Sequence, residues 1–161
     1  MADDPLLEAT AYAERGWPVL PIWWPLAGGT CACGRPDCSR PGKHPLSRHG
    51  LHDASTDPTV VRRWWARWPQ ANIGIRTGAA SRLLVVDVDG PAGMESLRTL
   101  RLEHGPLPAA WVRTGSGGWH AYLRLSEGQR VPNSVRRLGP GLDVRGEGGS
   151  IVPAWAASSL T

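Results

Sequence analysis

Phenylalanine is missing from this chain of 161 residues, and lysine occurs once, as Lys43. The remaining basic residues are arginines, which suit bidentate contacts to phosphate, whereas a lone lysine hints at a place that wants a compact ammonium. Such a composition, rich in Ala, Gly, Pro and Trp, is explained most simply by a GC-rich genome. Long apolar runs are absent: no window reaches the roughly 18 residues of a membrane-spanning helix. The opening "MADDPLLEAT" is acidic, unlike a secretory leader, so a cytoplasmic protein with no membrane partner is expected. Cysteine is confined to one short stretch, and its odd count of 3 rules out complete pairing. No internal repeat or low-complexity linker occurs. A chain this long is therefore read as a single domain over residues 1–161 with a small insertion near residues 25–50. The net charge of +4 and pI near 9.5 are compatible with a polyanionic partner without demanding one.

What is present is a series of short periodic segments. "DPLLEATAYAERG" reads as a helix stopped at Gly16, and "WPVLPI" as an edge strand because of its prolines. Residues 25–55 show no periodicity. "TDPTVVRRWWARWP" has a capping Thr or Asp and Pro58 in its first turn. Its Val61, Trp64, Trp65 and Trp68 are spaced for one helix face, which favours core packing over a base-stacking platform. "NIGIR" is a strand with Ile73 and Ile75 on one face and Asn72, Gly74 and Arg76 on the other, Gly74 leaving a gap where a ligand could reach the backbone. "LLVVDVD" is a strand, "PAGMESLRTLRLEHG" a helix and "AAWVRTGSGGWHAYLRL" two strands around a glycine turn. "GLDVRGEGGSIVPAW" adds two short strands. Alternation along these strands sets an apolar face against a face bearing Asp87, Asp89, His120, Asp143 and Arg145, together with Asn72 and Arg76. In one sheet with helices on the apolar side, these polar groups would share an open surface.

Asp87 and Asp89 end an apolar run and leave it on the same face, so two negative charges stand side by side. Relief comes from an arginine pair, Arg76 and Arg145, or from divalent cations accepting oxygen from both acids. Asp143 ends a similar strand, and three such carboxylates are what a pair of Mg²⁺ or Mn²⁺ ions needs for displacement at phosphorus, which favours the cations. "TGSGGWH" offers amides at Gly117 and Gly118 and the Ser116 hydroxyl to an anion ahead of His120. It lacks P-loop spacing, and alone it reads as a hairpin turn. Cys31, Cys33, Cys38 and His44 form C-x-C-x₄-C-x₅-H, a sufficient tetrahedral Zn²⁺ set with no open position and hence a structural role. Free structural cysteines are the plainer alternative, but the loop has too few apolar residues to order itself.

Six pieces, "AERGWPVLPI", "GKHP", "TDPTVVRRWWARWPQANIGIRTG", "LLVVDVDG", "VRTGSGGWHAYLR" and "VPNSVRRLGPGLDVRGEGGSIVPA", together resemble the bifunctional DNA primase/polymerase N-terminal (prim-pol) domain of the archaeo-eukaryotic primase superfamily. The resemblance covers about residues 8–155. It implies an α/β (α+β) fold, with an RRM-like catalytic sheet flanked by helices and a small zinc-binding insertion loop. It also implies template-directed nucleotidyl transfer from dNTPs or NTPs on single-stranded DNA. The family's metal-binding acid pair falls on Asp87 and Asp89, and its further acid on Asp143 after Leu142. Its nucleotide-contacting histidine falls on His120, where Gly118 replaces the usual serine and leaves Ser116 or a backbone amide to hold the triphosphate. Gly117, Arg76, Arg145 and Lys43 complete the candidate nucleotide contacts. The family continues past the position of "SIVPAWAASSLT", so a replicative helicase or C-terminal accessory domain is the expected collaborator.

Two other readings compete. "VVDVDG" also resembles the nucleophile motif of haloacid-dehalogenase-like phosphatases. That class needs a later lysine and normally Thr or Val after the glycine, whereas here Pro91 follows Gly90 and lysine does not recur after Lys43. A non-catalytic nucleic-acid or protein-binding module with an inherited active site would give a mobility shift and no extension product.

Overall fold

In the computed structural model, which describes residues 4–153, the chain is mixed α+β and falls into two compact units divided between Arg76 and Thr77. No helix among the described residues is long and apolar enough to cross a membrane.

The first unit holds α1 (Pro5–Glu14), β1 (Val19–Ile22), α2 (Pro58–Arg67) and β2 (Asn72–Arg76). Both helices start the same way: an aspartate side chain accepts an amide hydrogen bond, Asp4 from Leu6 at 2.9 Å and Asp57 from Thr59 at 2.7 Å. A proline follows each in the first turn, where its missing N–H costs nothing. β1 runs antiparallel to β2, and on its other side only isolated bridges to Pro45 and Ser55 form, in keeping with an edge strand that contains proline. The gap expected at Gly74 is filled from within. Gly74 faces Leu20 in the register, and a Cβ there would lie 2.8 Å from the Ile22 side chain, so the missing side chain makes room for β1 rather than for a ligand. On α2, Val61 and Trp65 are buried, and the Trp65 indole donates to the Ala71 carbonyl at 3.1 Å. Core packing does not take up all four of the expected residues: Trp64, in the last turn of the helix, and Trp68, its C-cap, stay half-buried.

The second unit holds β3 (Leu83–Val88), α3 (Gly90–His104), β4 (Ala110–Arg113), β5 (Trp119–Arg124), β6 (Ser134–Val135), β7 (Leu142–Arg145) and β8 (Ser150–Ile151). Five of these strands form an antiparallel sheet in the order β4-β5-β3-β7-β6. β6 is the element the sequence pattern did not reveal, since two residues are too few for alternation to register. Ala154 and Trp155, which close the expected last strand segment, lie outside the described residues. Val86, Val88, Ala121 and Leu142 point to one face and pack with Leu97 of α3. The opposite face of the central strand carries the buried Leu83 and Val85 and, at its C-terminal end, Asp87.

Two glycines fix α3 against the sheet. A Cβ on Gly93 would stand 2.5 Å from the Gly141 carbonyl oxygen, and the Asp89 amide donates to that same carbonyl at 2.9 Å. Gly93→Ala is therefore expected to destabilise the protein by about 1–3 kcal/mol even though alanine is the better helix former, because the obstacle is backbone and cannot rotate away. A thermal unfolding midpoint equal to or above that of the wild type would contradict this packing.

Candidate active site and metal centre

Antiparallel register places four polar side chains in a compact, largely buried group on one face of the sheet. Asp87 of β3 stands opposite His120 of β5 on one side and opposite Asp143 of β7 on the other. One step along, Val85 stands opposite Tyr122 and Arg145. Like charges directly across a strand pair repel, so the facing carboxylates need a cation between them. Arg145 supplies one: its Nη2 donates to Asp143 Oδ2 at 2.9 Å and lies 3.7 Å from Asp87 Oδ2. His120 Nε2 lies 3.4 Å from Asp87 Oδ1, and the ring meets the edge of Tyr122 with centroids 6.0 Å apart. The His120 side chain is only 10% exposed, and its Nδ1 is buried with no hydrogen-bond partner among the described residues. An orphaned buried ring nitrogen costs on the order of 1–3 kcal/mol, and a ligand that reaches it recovers that energy.

Asp89 lies just past β3 as the N-cap of α3 and is exposed. Its backbone is still extended (φ −106°, ψ 123°), so the alternation of β3 runs on to it. The β4–β5 hairpin closes beside it: the Thr114 amide donates to the Gly118 carbonyl at 2.9 Å, and Ser116 Oγ lies 3.1 Å from Thr114 Oγ1. A Cβ at Gly118 would stand 2.5 Å from the Val88 carbonyl oxygen and 3.2 Å from Asp89 Oδ1. That crowding is a physical reason for glycine rather than serine at this position. Ser116 and Gly117 are exposed at the hairpin tip.

The other candidate residues, Lys43 and Arg76, belong to the first unit. Lys43 is exposed, and its amide donates to the Arg40 carbonyl at 3.1 Å. Arg76 ends β2, with its Nε buried and without a hydrogen-bond partner among the described residues. One contributor was invisible in the sequence. The Arg136 amide donates to Asp143 Oδ1 at 3.1 Å from a backbone at φ +54°, a left-handed conformation that no arginine side chain advertises. Tyr122, by contrast, follows from the same alternation that placed His120.

The aperiodic loop of the first unit brings Cys31, Cys33, Cys38 and His44 together, with their ligand atoms all within 4.8 Å of one another. Cys31 Sγ and Cys38 Sγ each lie 3.4 Å from His44 Nε2. Tetrahedral zinc with ordinary Zn–S and Zn–N bonds sets a sulfur–nitrogen edge of about 3.5 Å, so this Cys₃His cluster fits a structural zinc. Neighbouring backbone supports the ligands. The Trp23 amide donates to the His44 carbonyl and the Ala32 amide to the Trp24 carbonyl, both at 3.0 Å, and the Asn72 side chain donates to the Gly42 carbonyl at 3.3 Å. Burial pushes the Cys31 thiol up, but hydrogen bonds from the Cys33 and Gly42 backbone and from His44 outweigh it and bring the pKa from 9.0 down to about 6. Cys38 moves the other way, raised by burial and by the neighbouring cysteines.

A family model, described as bifunctional DNA primase/polymerase, N-terminal, matches residues 9–159. No curated protein matches the chain.

Proposed function

The chain belongs to the bifunctional DNA primase/polymerase N-terminal (prim-pol) family, and from that premise we propose that it extends a strand on a single-stranded DNA template by nucleotidyl transfer from dNTPs or NTPs. The observation that carries this reading is the convergence of Asp87, Asp143, His120 and Arg145 on one sheet face, at facing register positions. Facing carboxylates are hard oxygen donors of the kind Mg²⁺ and Mn²⁺ take, so the residues fit the cations the family implies. Asp87, Asp89 and Asp143 would hold them, and the metal when bound would offset charge on the phosphate oxygens during displacement. Arg145 keeps the two strand acids together and, once a cation relieves it, can turn its donors to phosphate. The buried ring of His120 offers a nitrogen to a triphosphate oxygen, and the Ser116 hydroxyl with the Gly118 amide offers further donors from the hairpin, the Gly117 amide being already bonded to the Thr114 carbonyl at 3.0 Å. We place the protein in the cytoplasm, where its thiols stay reduced, with a replicative helicase or a C-terminal accessory domain as collaborator.

The test is incubation with single-stranded template, Mn²⁺ and labelled nucleotides, with and without a primer. Labelled product supports the reading, and retarded template with no product would make the chain a binding module. Within the same assay, His120→Ala is expected to raise the apparent KM for nucleotide roughly tenfold, the loss of one hydrogen bond to a charged group, and to leave template affinity unchanged. The reverse outcome, weaker template binding at unaltered KM, would remove His120 from the nucleotide site.

A further inference from the structure

Trp64 and Trp68, the two indoles that the core leaves half-buried, open onto a concavity of about 550 Å³ in the first unit, shared with Arg48, His49, Asp53 and Arg67. It lies between α2 and the short 3₁₀ turn at Gly50–Asp53. Trp64 stands in the last turn of α2 and Trp68 caps its C-terminus with a non-helical backbone, and both line this one concavity. Asp53 is already engaged: it accepts from the His49 amide at 2.9 Å and from the direction of His49 Nδ1 at 3.1 Å, and these bonds hold its carboxyl below the ordinary range. The cations are not engaged in that way. The Arg67 guanidinium lies over the Trp68 ring, 4.9 Å from its centroid, which uses its flat face and leaves the in-plane N–H donors for another acceptor. Among the described residues, neither Arg48 nor Arg67 has a hydrogen-bond acceptor or an ion-pair partner.

Aromatic faces beside uncommitted guanidinium groups suit a polymer that carries a flat π-face and a phosphate in every repeat. An apolar peptide would have no use for the arginines, and a duplex keeps its base faces stacked inside. We propose that this concavity is a single-strand nucleic-acid site, in which a base stacks on Trp64 or Trp68 and adjoining phosphates are taken by Arg48 and Arg67. The site is independent of the nucleotidyl-transfer reading, since it needs neither the aspartates nor a metal.

Fluorescence anisotropy of a labelled oligothymidylate, titrated with the full chain in EDTA and without nucleotide, tests it. Trp64→Ala and Trp68→Ala are each expected to weaken binding roughly 5- to 100-fold, and Trp68→Phe to retain most of it. The double variant Arg48→Gln/Arg67→Gln, confined to exposed side chains and so without a folding penalty, should weaken binding and flatten the dependence of log Kd on log salt. Unchanged affinity in the arginine variant, or in Trp68→Ala with a native melting curve, overturns the proposal. So does equal affinity for a blunt duplex. Binding that persists in a chain with no extension activity counts against the transferase reading alone, and extension with variant-insensitive binding counts against this site alone.

Discussion

Asp87→Asn and Asp143→Asn each lower the rate of primer extension by about a thousandfold or more, with the melting temperature held or raised. The loss follows from the role proposed for these acids: each withdraws a charged oxygen from cations that stabilise developing charge on phosphorus, and about 4 kcal/mol of barrier corresponds to that factor. The stability follows from the geometry. The two carboxylates occupy facing positions on neighbouring strands, and one guanidinium, that of Arg145, lies within reach of both. Neutralising either acid removes a like-charge contact and leaves Arg145 paired with the other, while asparagine keeps the shape and the strand hydrogen bonds. Asp143→Asn keeps an oxygen for the Arg136 amide, which donates to Asp143 Oδ1 at 3.1 Å, but turns its NH₂ towards the Arg145 Nη2 that donates to Oδ2. Asp87→Asn is therefore the variant expected to raise the melting temperature, and Asp143→Asn the one expected only to hold it. Single-turnover extension and thermal unfolding on the same preparations separate the two effects. Wild-type extension in either variant would mean that the face does something other than nucleotidyl transfer.

The grouping of Asp87, His120, Asp143 and Arg145 was legible in the sequence because strand alternation is rigid: once Val86, Ala121 and Val144 are assigned to the core, their neighbours must emerge on the other side. What alternation cannot convey is the pairing register. Arg145 and Arg76 were equally good partners for the acids on paper, and only the register of β7 on β3 singles out Arg145. Gly74 shows the converse failure. A missing side chain reads as an opening, yet whether the space is open depends on the opposite strand, which fills it with Leu20 and Ile22. Helical spacing assigned Val61 and Trp65 correctly to the core and overreached at Trp64, because a period gives the direction of a face and not the width that neighbours cover, and at Trp68, because the helix ends one residue before it. The Arg136 amide had no signal at all, being backbone in an unusual conformation.

Zinc removal has the other large expected effect, and a single peptide bond reports it. Protein purified without chelators should carry one zinc per chain, and stripping it should make the bond between Lys43 and His44 cleavable by trypsin on the order of a hundredfold faster. Arg35 and Arg40 precede Pro36 and Pro41, so Lys43 is the basic residue between Cys31 and His44 after which trypsin can cut. Its side chain is exposed, but the bond adjoins a metal ligand, and a protease must draw His44 out of the cluster to extend the chain through its active site. Few of the loop's residues are apolar, so the free energy of coordination is its main source of order. Cys38→Ser should behave as the stripped protein does, without any chelator. Acid should release the metal, since the ligands bind as thiolates and neutral imidazole. Protein that contains no zinc by elemental analysis, or that is cut after Lys43 at one rate with and without chelator, would reduce the four residues to a cluster of thiols and an imidazole held together by the loop alone.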